Sequence, residues 1–250
     1  MKVLLMGNSQ MGAYNLPRML RVMSASAPKD HPRLKIGEAI FGGATLKTHW
    51  EKGEGQGTPR AMISKGKWDY VVIQEIFCVN KPGFKAEFDK YATLLDRAIR
   101  KAGAKTILFA TANITQLYKP GYKDYRYPDS FKKLNDMQLR FGKKHGIPVA
   151  AAGYAWIKYL GNNPSKKKLL DLYHNDKGHP GGKGSYIYTC LLYAVLTGKN
   201  PAGLAREFKD IQGGFSIPKK EALKMQQVAW EQYLENTKKI ILTRGDNHAN

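Results

Sequence analysis

The chain has 250 residues, 42% of them hydrophobic and 11% aromatic, enough to bury a sizeable core in one large α/β domain or two small ones, which excludes a disordered chain. Lys and Arg total 41 and Asp and Glu 20, a formal net charge of +21. That balance attracts polyanions (nucleic acid, anionic lipid, acidic polysaccharide) or is a merely solvated basic surface, and it says nothing of fold.

Val3 to Met6 is a short apolar run closed by Gly7-Asn8-Ser9, which reads as a buried strand and its exit turn. Residues 11–26 follow at helical spacing, with Pro17 limiting or kinking the start. Leu34 to Phe41 is a second strand, ending in Gly42-Gly43; residues 53–57 are a Gly-rich loop and 58–66 a short helix. Tyr70 to Gln74 is β-branched and apolar, a third strand. Residues 84–101 give the clearest helix, with Phe84, Phe88, Tyr91, Leu95 and Ile99 on one stripe, widened by Leu94 and Ala98 and ended by Gly103. Thr106 to Thr111 is strand four; Phe131, Leu134, Gln138 and Phe141 set a helix stopped at Gly146; Ile147 to Ala151 is strand five. Helices then occupy about 184–197 and 219–238.

Strands alternating with helices predict a five-stranded parallel sheet covered on both faces, a three-layer α/β/α sandwich of flavodoxin-like type. Residues 1–242 read as one domain and 243–250 as a polar tail. In such folds ligands gather beyond the carboxyl ends of the strands. Ser9, Gly42-Gly43, Gln74-Glu75 and Asn113 all fall just past strand ends and so share one rim.

No run of about 18 apolar residues is present, so no membrane span is expected. Residues 2–6 are too short for a signal-peptide core, which fits an intracellular chain or an exported one whose leader has been removed. Cys78 and Cys190 lie in no C-x-x-C and cannot make a Cys-only zinc site; whether they pair stays open.

A serine hydroxyl needs a neighbouring base to take its proton, and that base needs a third group to orient it. Ser9 on the rim is one such hydroxyl. Asp176-Lys177-Gly178-His179-Pro180 can supply the rest, because an aspartate and a histidine three residues apart in a Gly/Pro-punctuated loop can bring carboxylate to imidazole. The α/β-hydrolase elbow G-x-S-x-G is absent, since Gln10-Met11-Gly12 follows Ser9. His174 with Asp176 and His179 also spells H-x-D-x-x-H, but no fourth metal ligand is evident and the serine reading already uses two of the three, so no metal or other cofactor is expected.

Five stretches carry a family resemblance: Leu4-Leu-Met-Gly-Asn-Ser9, Gly42-Gly-Ala-Thr-Leu-Lys-Thr-His-Trp50, Lys67-Trp-Asp-Tyr-Val-Val-Ile-Gln-Glu75, His179-Pro-Gly-Gly-Lys-Gly-Ser-Tyr186 and Leu196-Thr-Gly-Lys-Asn-Pro201. Together with Asp176-x-x-His179 they resemble the SGNH (GDSL-type) hydrolases, and more narrowly the branch named DUF4886, in order from residue 2 to about 205. The resemblance implies the SGNH-hydrolase fold and serine-esterase chemistry. It implies Ser9 as nucleophile, His179 as general base and then acid, and Asp176 as orienter. It implies an oxyanion hole from the Ser9 and Gly43 N–H groups and places His49 at or behind the site. The superfamily's third block is usually Gly-x-Asn-Asp, whose Asn is the third oxyanion donor; this chain has Gln74-Glu75 there, so Gln74 is the candidate replacement and Asn113 the competitor.

The segment from Tyr118 to Tyr127 follows strand four and so overhangs the rim. Its Tyr118, Tyr122, Tyr125 and Arg126 suit stacking on sugars or arenes and attracting an anion, so the substrate expectation is a small ester or acylated glycan, acidic or aromatic. The leading expectation is a carboxylic-ester hydrolase, with deacetylation of a carbohydrate as the first guess. The alternative is a non-catalytic binder of acidic glycan on the same scaffold. No recognisable nucleic-acid motif is present, and oligomeric state is not readable.

Overall fold

The structure, a computed structural model, describes residues 1–114 and 125–245, with side chains described through residue 237. Five parallel strands form one sheet: β1 (Lys2–Gly7), β2 (Lys35–Ile40), β3 (Tyr70–Ile73), β4 (Lys105–Ala110) and β5 (Val149–Ala151), in the order β2-β1-β3-β4-β5. The apolar runs read as strands because both their faces are covered. Val3 and Leu5 of β1 enter one core cluster and Leu4 and Met6 the other; Ile107 and Phe109 of β4 divide from Leu108 and Ala110 in the same way.

One face is covered by α1 (Ser9–Gly12), α2 (Leu16–Ser26), α7 (Ala152–Leu160), α9 (Gly182–Thr197) and α10 (Lys219–Gly245). The other is covered by α3 (Leu46–Glu51), α4 (Pro59–Lys65), α5 (Phe84–Lys101) and α6 (Asp129–His145). A short α8 (Lys166–Leu170) and a two-stranded hairpin, β6 (Glu207–Phe208) with β7 (Phe215–Ser216), complete the described elements.

Several boundaries differ from the sequence reading, each for a local reason. The helix expected over 11–26 is two helices. Asn15 breaks it in the left-handed region (φ 47°) and caps α2 by accepting the Arg18 N–H at 3.1 Å, with Pro17 in the first turn. Helix α3 was hidden inside the Gly42–Trp50 block, where Thr45 and Thr48 form a capping box. Helix α7 follows β5 with no intervening loop, so strand and helix merge in one apolar run. Helix α10 extends to Gly245, past the expected end at 238 and past residue 242 where the sequence reading ended the domain. No disulfide joins Cys78 and Cys190.

Helix α5 keeps the stripe read from its spacing. Phe88 is fully buried edge-to-face on Phe141 of α6, ring centroids 5.1 Å apart, while Leu94 is only half-buried. Phe88→Ala should therefore cost about 3–5 kcal/mol in urea unfolding, and Leu94→Ala about 1 kcal/mol. Equal losses would show that α5 does not present this face to the core.

Candidate active site

The turn leaving β1 is held by side chains from two neighbouring strand ends. The Gly7 carbonyl accepts the Phe41 N–H at 3.1 Å and the His49 ring at 3.0 Å. The Asn8 N–H donates to Gln74 Oε1 at 2.9 Å. The Asn8 side chain works in both directions: its Oδ1 accepts the Gln10 N–H at 3.0 Å, capping α1, and its Nδ2 donates to the Ala44 carbonyl at 2.9 Å. Gly7 has to be glycine, since a Cβ there would stand 2.6 Å from both Gln74 Oε1 and Met11 Sδ. Ser9 is thereby presented as the first residue of α1, half-buried on the rim.

The opposing loop is tied by its own backbone. His174 N–H donates to the His179 carbonyl and Gly181 N–H to the Leu172 carbonyl, both at 2.8 Å, and Lys177 turns the chain in the left-handed region (φ 59°). Asp176 Oδ1 accepts the Gly178 and His179 N–H groups at 2.9 and 3.0 Å, and Oδ2 meets His179 Nδ1 at 2.5 Å. His179 Nε2 then lies 2.9 Å from Ser9 Oγ. With the ring proton on Nδ1, the Ser9 hydroxyl donates to Nε2. Gln10 Nε2 ties this loop to α1 through the Gly178 carbonyl at 3.2 Å. Partial burial works against the Asp176 charge, but the His179 and Gly178 N–H groups and the imidazole outweigh it and bring the carboxyl down to about 2. Asp176 is therefore anionic across the working pH range.

Ser9 and Gly43 backbone N–H groups have no protein acceptor among the described residues, and Gly43 is exposed with φ 66°. Gln74 stands elsewhere. It is 0% exposed, its Oε1 is fixed by the Asn8 N–H, and its Nε2 donates to the Glu75 carbonyl. Its amide orientation follows from the Asn8 donor, so Gln74 supports the Ser9 turn from behind and its amide is taken up within that turn. Asn113 is corrected in the same way. It is buried, with Oδ1 accepting the Ile114 N–H at 2.8 Å and Nδ2 directed at the Ser130 carbonyl at 3.4 Å.

His49, expected to line or buttress the site, does the second: it is fully buried behind the Gly7 carbonyl. The Gly7 carbonyl requires a proton on its Nε2, which leaves Nδ1 as a buried acceptor with no hydrogen-bond partner among the described residues. Burial, with Lys52 adding, lowers its pKa to about 4 against the Gly7 hydrogen bond, so the ring is neutral. Tyr118 and Tyr122 lie outside the described residues. Tyr125 is half-buried and Arg126 exposed, just ahead of α6. His174 Nδ1 is 3.9 Å from Asp176 Oδ2, and its ring meets Tyr14 edge-on at 5.7 Å. Among the described residues no group of three His, Cys, Asp or Glu side chains converges to hold a metal ion.

Two contributors escaped the sequence reading. Asn8 had a readable signal, an Asn immediately ahead of a helix start. Glu75 had none. It is 3% exposed, and its carboxylate accepts the Ile76 N–H at 2.7 Å and the Leu46 N–H at 3.3 Å, joining the end of β3 to the Gly42–Leu46 loop. Burial pushes its pKa up to about 7 against those two N–H bonds, with Glu87 adding to the rise.

No family model and no curated protein matches the chain. Solved structures do. A protein from Slackia heliotrinireducens, provisionally described as an SGNH hydrolase, superposes with TM-score 0.59 at 22% identity, over 77% of this chain and 97% of that one. A DUF4886 family protein from Bacteroides uniformis gives TM-score 0.69 at 16% identity, over 94% and 95%. A lipase/acylhydrolase from Enterococcus faecalis gives 0.58 at 19%, over 79% and 95%. This chain has the SGNH-hydrolase fold.

The Glu75 carboxyl binds its proton more tightly folded (about 7) than unfolded (4.5), so its contribution to stability is full below pH 4.5 and is lost as pH rises through 7. His49 acts oppositely, since its lowered pKa removes stability as pH falls from 6.5 towards 4. The two partly cancel in the wild type, so the difference between wild type and Glu75→Gln isolates the carboxyl. Relative to wild type, Glu75→Gln should gain stability between pH 5 and pH 8 by up to about 3 kcal/mol in urea unfolding. A difference independent of pH would mean that Glu75 titrates normally.

Proposed function

We propose that the chain is an SGNH-type serine esterase, cleaving a carboxylic ester through an acyl-enzyme. The observation that carries this reading is the continuous contact from Asp176 through His179 to Ser9, at 2.5 and 2.9 Å. Such a chain is a general base held in one tautomer against one hydroxyl. It has little use in a protein that only binds, which is why the enzymatic reading stands ahead of a non-catalytic glycan binder.

In the proposed reaction Ser9 Oγ attacks the ester carbonyl carbon while its proton passes to His179 Nε2. The Asp176 carboxylate stabilises the imidazolium through Nδ1–H. The charge that develops on the carbonyl oxygen is met by the Ser9 and Gly43 N–H groups, which have no competing acceptor among the described residues; losing one such donor costs roughly 3–4 kcal/mol of barrier in comparable sites. The tetrahedral intermediate collapses, His179 returns the proton to the leaving alcohol, and the acyl group stays on Ser9. Water, deprotonated by His179, then attacks the acyl carbon, and the second collapse frees the acid and restores Ser9. No metal or nucleotide is needed for these steps.

The substrate reading is a short acyl ester, such as an acetyl group on a carbohydrate. The half-buried Tyr125 and Tyr127 and the exposed Arg126 are the described parts of the segment expected to bind it.

Wild type should hydrolyse p-nitrophenyl acetate and become labelled on Ser9 by a fluorophosphonate. Ser9→Ala should lose both, with kcat/KM down by at least about 10³-fold and the unfolding midpoint little changed. Equal hydrolysis by the two proteins sinks the nucleophile assignment. Asp176→Asn should keep the fold and lower kcat by about 10⁴-fold through loss of the correct imidazole tautomer. A loss under about tenfold would remove Asp176 from the catalytic group.

A further inference from the structure

We propose that the end of the sheet opposite Ser9 is a docking surface for an anionic phospholipid bilayer. In a parallel sheet every strand starts at the same end, and there the starts are basic. Lys2 of β1 pairs in register with Lys35 of β2, and Lys105 opens β4 beside Tyr70 of β3, with Lys67 just ahead. All four lysines are exposed. The helices that return the chain end there too: α4 closes on Lys65, α5 on Arg100 and Lys101, and α6 on Lys143 and Lys144. Three carboxylates offset part of this charge: Asp69, exposed, accepts the Lys2 backbone N–H at 2.6 Å, Asp96, 8% exposed, takes Arg100 at 2.8 Å, and Asp30 lies 3.4 Å from Lys199.

The catalytic end is mixed in sign: Glu87 lies in the first turn of α5, Asp129 in that of α6 and Glu221 in that of α10, but α10 opens on Lys219-Lys220 and Lys52, Lys81 and Lys85 are exposed there too. The helix dipole accounts for part of this, since it favours anions at helix starts and cations at helix ends. It does not account for Lys2, Lys35, Lys67 and Lys105, because strands carry little net dipole. The strand-start lysines are therefore charge beyond what the fold requires.

The arrangement selects the partner. Adjacent strands are about 4.8 Å apart and the helix layer lies about 10 Å to one side, so the charges spread in two dimensions and do not follow a line. Phe41, the one aromatic among the exposed large apolar side chains, follows β2 at the other end, and Trp68 and Tyr70 beside the lysines are half-buried, so no fully exposed base-stacking platform accompanies the charge. Lysine, a compact hydrated point charge, predominates over arginine, which suits diffuse attraction to a head-group plane. Docking this end leaves Ser9 facing away from the bilayer.

The test is co-sedimentation of the full chain with phosphatidylcholine vesicles containing or lacking phosphatidylglycerol. Binding should require phosphatidylglycerol and fall at least about tenfold between low and half-molar salt. The triple reversal Lys35→Glu, Lys105→Glu and Lys143→Glu should lower partitioning at least about tenfold. The matched reversal at the catalytic end, Lys52→Glu, Lys81→Glu and Lys85→Glu, should lower it less than about threefold. Circular dichroism of both variants checks their folding; if the first triple variant unfolds, Lys35→Glu and Lys105→Glu singly replace it. Equal weakening by the two sets would mean that net charge alone is read and would overturn the surface. Binding to heparin or duplex DNA at a salt where anionic vesicles stay unbound would overturn the lipid.

Discussion

The hydrogen bond from the Asn8 N–H to Gln74 Oε1, with the His49 bond to the preceding carbonyl, is the constraint on which the catalytic geometry rests. Helix α1 is a single turn, and one turn has almost no stability of its own in water. Ser9 is therefore placed by the turn before it. Both groups of the Gly7–Asn8 peptide are taken by side chains that arrive from other strands, and the Asn8 side chain takes the Ala44 carbonyl in return. Three strand ends are locked to one another, which ties Ser9 to the Gly42–Ala44 loop. In the proposed reaction that is preorganisation: the Ser9 and Gly43 N–H groups stand in place before charge develops.

The base is fixed by different means. His179 leads directly into α9, which is buried almost all round and whose Tyr188 stacks on Trp156 at 5.1 Å. The loop feeding α9 passes so close to its own incoming strand that a Cβ on Gly181 would lie 2.6 Å from the Tyr173 carbonyl, and one on Gly184 would lie 2.2 Å from that of Leu172. The imidazole is aimed by the core beneath it, while the serine is aimed by a polar network. The two meet at 2.9 Å only because the sheet carries both supports.

The sheet was legible because parallel strands are continuous apolar runs, and α5 because a five-residue stripe is long enough to set a period. Ser9, Asp176 and His179 were legible because each sits in a short local pattern. What failed were assignments that depend on where a side chain points. Gln74 is in its expected block yet turns inward, and no spacing rule tells a donor facing the site from one facing the turn. Asn113 failed likewise: its Oδ1 closes on the N–H of the next residue, and its Nδ2 partner, Ser130, is in place only once α6 is docked. Helix α7 was lost for another reason: with no loop between β5 and its first residue, there was no turn signal to mark the change of period.

The +21 charge is the feature whose meaning changes most. Read from composition, it favours an anionic substrate. The fold divides it, and the strand-start lysines stand at the end remote from Ser9. Charge at the far end of a six-residue strand, roughly 20 Å and so two to three Debye lengths away at physiological salt, does little to select the group that enters the oxyanion hole. Substrate choice then falls to side chains on the rim, and the surplus charge to attachment. One property of a parallel sheet, that all its strands begin together and end together, produces both: Ser9 meets His179 where the strands end, and Lys2, Lys35 and Lys105 stand where they begin.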